Sequence, residues 1–158
     1  MNLSIEQQLS AEGFYVSTTS GVSMRPMLRD RRDRVVIRAV GNERLSKWDL
    51  PLYRAKDGRY LLHRIIGIAK DGSYIIRGDN TYRKEYVTQE QILGVVTEFY
   101  RGNKHISADH RAYRRYAAVW NALYPIRKIC HLPLFWLKRL KRNHQASNQG
   151  VSEYDSES

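Results

Sequence analysis

Short runs of β-branched and aromatic residues, separated by glycine-containing turns, constrain this fold more than any other feature of the sequence. Such runs lie at 14–18, 34–40, 50–54, 60–69, 73–77 and 92–100. The turn signals between them include Asp57-Gly58 and Asp71-Gly72. Short strands joined by turns of this type are typical of antiparallel sheets. The sequence therefore predicts a mainly β, compact antiparallel domain.

Helical signals lie at both ends of this predicted β domain. Ser4 and Gln7 have the spacing of a capping box, and Gly13 follows as a stop signal, which predicts a short N-terminal helix. Aromatic residues recur at helical spacing from Tyr113 to Tyr124. We divide the chain into a β domain at 1–104, a basic amphipathic helical extension at 105–142 and a disordered tail at 143–158.

The positive charge of the chain is concentrated in the predicted extension. The formal net charge is +11 over 158 residues, and residues 101–142 hold eleven basic side chains and one acidic one. No apolar stretch reaches the roughly 18 to 20 residues of a spanning helix, and the N-terminus lacks the apolar core of a signal peptide. We expect a cytoplasmic or peripherally membrane-associated protein.

An anionic partner is one interpretation of this charge. Residues 111–142 combine aromatic and basic side chains in a pattern that suits peripheral contact with an anionic membrane. The alternative is that the aromatic stripe packs on the β domain and the charges face water. Arg111–Tyr116 also resembles a nucleic-acid contact, and we rank that interpretation last.

The segment Ser20-Gly21-Val22-Ser23-Met24-Arg25-Pro26 is the first of three candidate chemical motifs. A serine in a sharp, exposed turn can present its hydroxyl together with neighbouring backbone N–H groups, which is what acyl transfer requires. The alternative is an ordinary polar turn, because glycine, serine and proline are common turn residues.

Two further motifs follow in the chain. His63 is an imidazole within the apolar run Leu61-Leu62-His63-Arg64-Ile65, where a general base would have a pKa near neutrality. Asp79 lies in Gly78-Asp79-Asn80 and is placed to orient that imidazole. Each has a plain alternative: a structural histidine in a strand, and a favoured turn sequence.

The order and spacing of these motifs closely resemble the type I signal peptidase family, which shares its fold with the SOS repressors. The resemblance covers about residues 13–103 and implies a signal-peptidase-like β fold with a serine peptidase activity. Ser23 then matches the nucleophile and Asp79 the acid of the Gly-Asp-Asn motif. Histidine at 63 resembles the endoplasmic-reticulum and archaeal branch, in which a second acid lies six positions later; Glu85 occupies that position here.

The resemblance implies a mechanism, and the sequence departs from the family in three respects. We expect His63 to activate Ser23 and the Val22 and Ser23 N–H groups to bind the oxyanion. Gly21 stands where signal peptidases place a serine. We also expect neither the membrane anchor of signal peptidases nor the DNA-binding domain of a repressor, because only 22 residues precede Ser23.

The leading functional prediction is a serine endopeptidase that cleaves a protein or peptide precursor. The alternative is a catalytically degenerate peptidase fold that binds peptides or a membrane surface. We expect no cofactor and no metal site, because the sequence lacks metal-ligand spacing and a phosphate-binding glycine loop. The single cysteine, Cys130, excludes an internal disulfide.

Overall fold

The computed structural model describes residues 4–130 and is built on two antiparallel sheets, which confirms the predicted mainly β fold class. The strands are β1 (Phe14–Thr18), β2 (Asp33–Ala39), β3 (Pro51–Arg54), β4 (Tyr60–Leu62), β5 (Arg64–Ile68), β6 (Tyr74–Arg77), β7 (Glu85–Val87), β8 (Ile92–Arg101) and β9 (Lys104–Ser107). The larger sheet has the order β1-β2-β8-β3-β4, and β9 pairs with β8. The smaller sheet has the order β5-β6-β7.

The N-terminal helix α1 (Ile5–Glu12) has the predicted capping box. The Ser4 side chain accepts a hydrogen bond from the Gln7 N–H, and the Gln7 side chain accepts one from the Ser4 N–H. Gly13 ends the helix in the left-handed conformation, at φ 76°. The chain then enters β1 at the edge of the larger sheet. The predicted short N-terminal helix is thus confirmed.

The predicted strand at 60–69 is two strands that belong to different sheets. Leu62 in β4 pairs with Leu52 in the larger sheet, whereas Arg64 in β5 pairs with Arg77 in the smaller one. His63 is the residue between them and belongs to neither strand. The crossing of the chain from one sheet to the other therefore occurs at the imidazole.

The larger sheet contributes to both of the apolar clusters. The larger sheet packs on Leu9 of α1 and on Met24, Met27 and Leu28 of the loop before β2. The second cluster lies between the two sheets, with Ile65, Tyr74, Ile76 and Val87 from the smaller sheet and Tyr53, Ile92 and Val95 from the larger one. Burying several large side chains in this way is the main source of stability in a domain of this size.

The helix α2 (Arg111–Ala122) follows β9, at the position where the aromatic spacing predicts a helix. Tyr113 and Ala117 on one face are buried, and the Tyr113 ring packs at 5.2 Å between ring centres on Phe99 of β8. One compact unit extends through Asn121. The start of the predicted extension therefore packs on the β domain, and the boundary at residue 104 stays a prediction.

A second unit begins at Ala122, and its described part ends at Cys130. This part is helical, with a hydrogen bond of 3.0 Å from the Arg127 N–H to the Leu123 carbonyl. The rest of the predicted extension and the predicted tail at 143–158 lie outside the described residues. Among residues 4–130, no helix is long and apolar enough to span a membrane.

Candidate active site

Ser23 lies in the loop that connects β1 to β2. Contacts with the rest of the domain fix the position of this loop. The Thr19 hydroxyl donates to the backbone carbonyl of Arg29 at 2.7 Å, which closes the base of the loop. Met24 and Leu28, which flank the turn, are buried in the larger core. The serine is therefore held in a turn whose position is set by core packing.

Gly21 gives the turn a backbone conformation that other residues rarely adopt. Its φ is 94°, and its N–H donates to the Asp30 carboxylate at 2.8 Å. This conformation favours glycine at position 21. Within residues 4–130, the Val22 and Ser23 N–H groups donate no hydrogen bond to the protein. In the described part of the chain, both of the predicted oxyanion donors thus have no protein acceptor.

His63 is placed by the crossing between the two sheets and is largely shielded from water. The residue is 7% exposed, and burial lowers the pKa of its imidazole, an effect that the negative charges of Glu85 and Asp79 partly oppose. The neutral imidazole, which is the form a general base needs, is therefore favoured at neutral pH.

Ser23 and His63 line the same cavity, although they are far apart in the sequence. The cavity measures about 190 Å³, and its apolar walls include Tyr15, Leu52 and Leu62. Within residues 4–130, no hydrogen bond joins the Ser23 hydroxyl to the imidazole. Proton transfer between them thus requires a change of the Ser23 rotamer or an approach on substrate binding, as is common in unliganded sites.

The Gly78-Asp79-Asn80 segment lies directly beside both residues. A Cβ atom on Gly78 would stand 2.8 Å from the Ser23 carbonyl oxygen and 3.1 Å from His63 Cδ2. The Ser23 carbonyl oxygen and His63 Cδ2 are therefore separated by less than the sum of these two distances, so the serine turn lies beside the imidazole. The Asn80 N–H donates to the Ser23 carbonyl at 2.7 Å, and the Asn80 side-chain amide donates to the Val22 carbonyl at 3.2 Å. This segment anchors the Ser23 turn next to the imidazole.

Asp79 is close enough to act on His63 electrostatically, but its carboxylate binds Arg64. Its two oxygens accept from Arg64 Nε and Nη2 at 2.8 and 2.7 Å, in a pair that is almost entirely buried. Burial alone would lower the pKa of Arg64, but the hydrogen bonds with Asp79 and the nearby Tyr113 raise it. The predicted role of Asp79 in orienting His63 stays a prediction, and its observed contact is with the guanidinium.

Arg64 also links the Asp79–Arg64 pair to α2, to Trp48 and to the Ser23 loop. It donates to the Tyr113 hydroxyl of α2 at 2.8 Å, to the Trp48 carbonyl at 3.1 Å and to the Met27 sulfur at 2.8 Å. The Trp120 indole of α2 also donates to the Asp79 carbonyl, at 3.0 Å. The helix and the Ser23 loop therefore share one buried polar network.

The His63 imidazole is hydrogen-bonded to Tyr53. The hydrogen bond of the His63 ring within residues 4–130 joins Nδ1 to the Tyr53 hydroxyl at 3.0 Å. That hydroxyl donates to Glu85 Oε2 at 3.0 Å, and Glu85 Oε1 lies 3.7 Å from Nδ1. Glu85, the possible second acid predicted from the sequence, is thus placed beside His63 and linked to it through Tyr53.

Sequence reasoning missed the roles of Tyr53 and Arg64. Both lie in apolar runs, where a single tyrosine or arginine carries little signal of its own. The adjacent polar residues at 63 and 64 are a usable signal, because polar groups that are buried within an apolar run need hydrogen-bond partners. Among residues 4–130, no group of three His, Cys, Asp or Glu side chains has the arrangement of a metal site.

In comparisons with known proteins, no protein-family model and no curated protein matches this chain. The function of the chain is therefore inferred from the geometry of the site and from the order of its motifs.

Proposed function

We propose that the chain is a serine endopeptidase in which Ser23 is the nucleophile and His63 its general base. The observation that supports this most strongly is that the two residues line one cavity, with the Gly78-Asp79-Asn80 segment packed against both. A nucleophile and a base with a largely neutral imidazole, next to unpaired backbone donors, are the parts that acyl transfer needs. The resemblance of the motif order to the signal peptidases points to the same chemistry.

The mechanism proceeds in two stages. His63 Nε2 accepts the Ser23 hydroxyl proton as Oγ bonds to the scissile carbonyl carbon, and the resulting oxyanion accepts from the Val22 and Ser23 N–H groups. The C–N bond then breaks, and the imidazolium returns the proton to the leaving amine. In the second stage, His63 takes a proton from water, the hydroxide adds to the acyl carbon, and Ser23 leaves with that proton.

Three groups fix the positions of Ser23 and His63 relative to each other. Asn80 fixes the Ser23 turn through two hydrogen bonds, and Gly78 leaves the space in which the Ser23 carbonyl and the imidazole approach each other. The Asp79–Arg64 pair holds the Gly78-Asp79-Asn80 segment against β5 and α2. We assign Asp79 to the positioning of this segment, and to an electrostatic effect on His63.

A peptide-library cleavage assay with the full chain tests this proposal. Ser23→Ala and His63→Ala each abolish cleavage, and the unfolding midpoint of Ser23→Ala changes little, because the Ser23 side chain belongs to neither apolar cluster. The matched control is Ser10→Ala, which removes an exposed hydroxyl from α1, away from the cavity, and leaves cleavage in place. Full activity in either of the first two variants would refute the assignment.

A second candidate function is contact with an anionic membrane surface, for which the second unit offers one observation. Ile126 and Ile129 are 59% and 66% exposed, and Arg127 and Lys128 lie between them in the sequence. Exposed apolar side chains combined with cations are typical of interfacial helices. This function is compatible with the peptidase and with the non-enzymatic alternative.

Vesicle sedimentation tests the membrane contact. The full chain should sediment with phosphatidylglycerol vesicles and remain in solution with phosphatidylcholine vesicles. The double variant Ile126→Gln/Ile129→Gln should bind several-fold more weakly, whereas Ile68→Gln, at an equally apolar exposed site on β5, should bind like the wild type. Equal binding to both kinds of vesicle, or no effect of the double variant, would exclude the contact.

A further inference from the structure

Tyr53 is a fully buried titratable side chain whose hydroxyl contacts the His63 ring. It is completely shielded from solvent and lies in β3, with Leu61 of β4 on one side and Ile92 of β8 on the other. Because β3 is an inner strand of the larger sheet, the position of the Tyr53 ring is fixed by strands on both edges. Its hydroxyl is thus held at a defined point between Glu85 and His63.

The hydrogen bonds of Tyr53 determine where its proton lies. A phenol has one proton and a carboxylate only accepts, so the contact with Glu85 Oε2 uses the Tyr53 proton. The Tyr53 oxygen then accepts from His63, which places the second proton of this chain on Nδ1. Burial, and after it the charge of Glu85, raise the pKa of Tyr53, so the hydroxyl stays protonated throughout the working range of pH.

We propose that Tyr53 is a positioning residue that fixes His63 as the Nδ1–H tautomer, with Nε2 unprotonated, and links it to the charge of Glu85. The catalytic consequence of this inference rests on the proposed peptidase function. The tautomer of His63 does not, because it is a property of the resting protein. In acyl transfer, Nε2 takes the Ser23 proton while the Nδ1 and Tyr53 protons stay where they are. The positive charge that forms on the imidazole is stabilised by Tyr53 and, beyond it, by Glu85.

Direct contact between Glu85 and the ring is a poorer route for this stabilisation. Glu85 Oε1 lies 3.7 Å from Nδ1, beyond normal hydrogen-bond length, whereas the two bonds through Tyr53 are both 3.0 Å. Glu85 also borders a cavity on its other side, which it shares with Arg59 and Lys84. Tyr53 thus separates the buried imidazole from a solvent-accessible, cation-rich surface.

Nitrogen-15 NMR of the His63 ring in the full chain tests the tautomer. At a pH above the imidazole pKa, the wild type should have a protonated Nδ1 and an unprotonated Nε2. In Tyr53→Phe, the ring loses its acceptor and should become a mixture of the two neutral tautomers. Tyr74→Phe is the matched control, because it removes a hydroxyl from another fully buried tyrosine of the same apolar cluster, and it should leave the His63 signals unchanged.

The rate of Ser23 modification by a fluorophosphonate tests the functional consequence. Tyr53→Phe should react about tenfold to a hundredfold more slowly than the wild type, a part of the 10²- to 10⁴-fold effect of a general base. Glu85→Gln should slow the reaction less, and Tyr74→Phe should react at the wild-type rate.

The outcomes separate this inference from the function on which it rests. A wild type that does not react with the probe overturns the peptidase proposal, and the NMR spectrum alone then decides the tautomer. A protonated Nε2 in the wild type, or a Tyr53→Phe variant that keeps both the wild-type tautomer and the wild-type reaction rate, overturns the role of Tyr53.

Discussion

The carboxylate of Asp79 is bound through both of its oxygens to the guanidinium of Arg64, in a pair with almost no exposure to solvent. A buried charge that loses its partner keeps its desolvation penalty without any compensating attraction. We therefore expect substitution of Asp79 to lower the stability of the protein, unlike substitution of the Ser23 hydroxyl.

Asp79→Ala should lower the free energy of unfolding by about 3–5 kcal/mol, because Arg64 is left buried and unpaired. Urea denaturation of the purified variants provides the measurement. The control is Asp57→Ala, which removes the partner of Arg59 in an exposed ion pair and should have little effect. If the two variants are equally stable, the Asp79–Arg64 pair does not hold the segment in place.

Gly78→Ala should impair the site through crowding alone. The added Cβ would lie 2.8 Å from the Ser23 carbonyl oxygen, a backbone atom that can move only with the whole turn. We expect a loss of about 1–3 kcal/mol in unfolding free energy, as in other overpacked positions, together with slower modification of Ser23 by a fluorophosphonate.

Gly41→Ala is the matched control for this substitution. Gly41 has no atom within 4 Å of the Cβ position and no positive φ, so alanine fits there without strain. Its stability and its rate of Ser23 modification should equal those of the wild type. A Gly78→Ala variant that also behaves like the wild type would show that the Ser23 carbonyl and the imidazole are not packed as described.

Local sequence signals predict most of the fold, but they do not predict every strand or the limits of every strand. The aromatic and β-branched run at Phe14–Thr18 is a strand with the predicted bounds. The run at 60–69 is split at His63, because its two halves pair with different sheets, and pairing partners are not visible in a local pattern. The strands at Glu85–Val87 and Lys104–Ser107 were missed, because they are short and largely polar.

The candidate site was predictable only in part. The motifs of the sequence predict Ser23, His63 and Asp79 as site residues, the spacing in the family it resembles adds Glu85, and the structure places Ser23 and His63 on one cavity. The partners of these residues depend on tertiary contacts between distant parts of the chain, such as the one between Tyr53 and Glu85. The sequence indicated which groups are chemically able to act, whereas the hydrogen-bonding partner of each group required the fold.

The pH dependence of Ser23 modification should follow the ionisation of His63. Since burial lowers the pKa of the imidazole below its usual 6.5, the neutral base is present above that lowered pKa and is lost as the pH falls through it. The rate should therefore rise to its plateau with a midpoint below pH 6.5. A midpoint well above 6.5 would contradict the assignment of His63 as the base.

Glu85→Gln should shift that midpoint further down. The negative charge of Glu85 raises the pKa of His63, so its removal makes the imidazolium less stable. The comparison with Glu90→Gln, which removes a carboxylate from the exposed 3-10 turn at Gln89–Gln91, separates this effect from a change in net charge. An upward shift in Glu85→Gln would mean that Glu85 does not stabilise the imidazolium.

Covalent modification of Ser23 by a fluorophosphonate, mapped by mass spectrometry of the intact and digested chain, tests the central claim most directly. The account predicts a single adduct on Ser23 in the wild type, at least a hundredfold slower formation in His63→Ala, as expected for the loss of a general base, and none in Ser23→Ala. Absence of an adduct in the folded wild type, or equal labelling in His63→Ala, would contradict it.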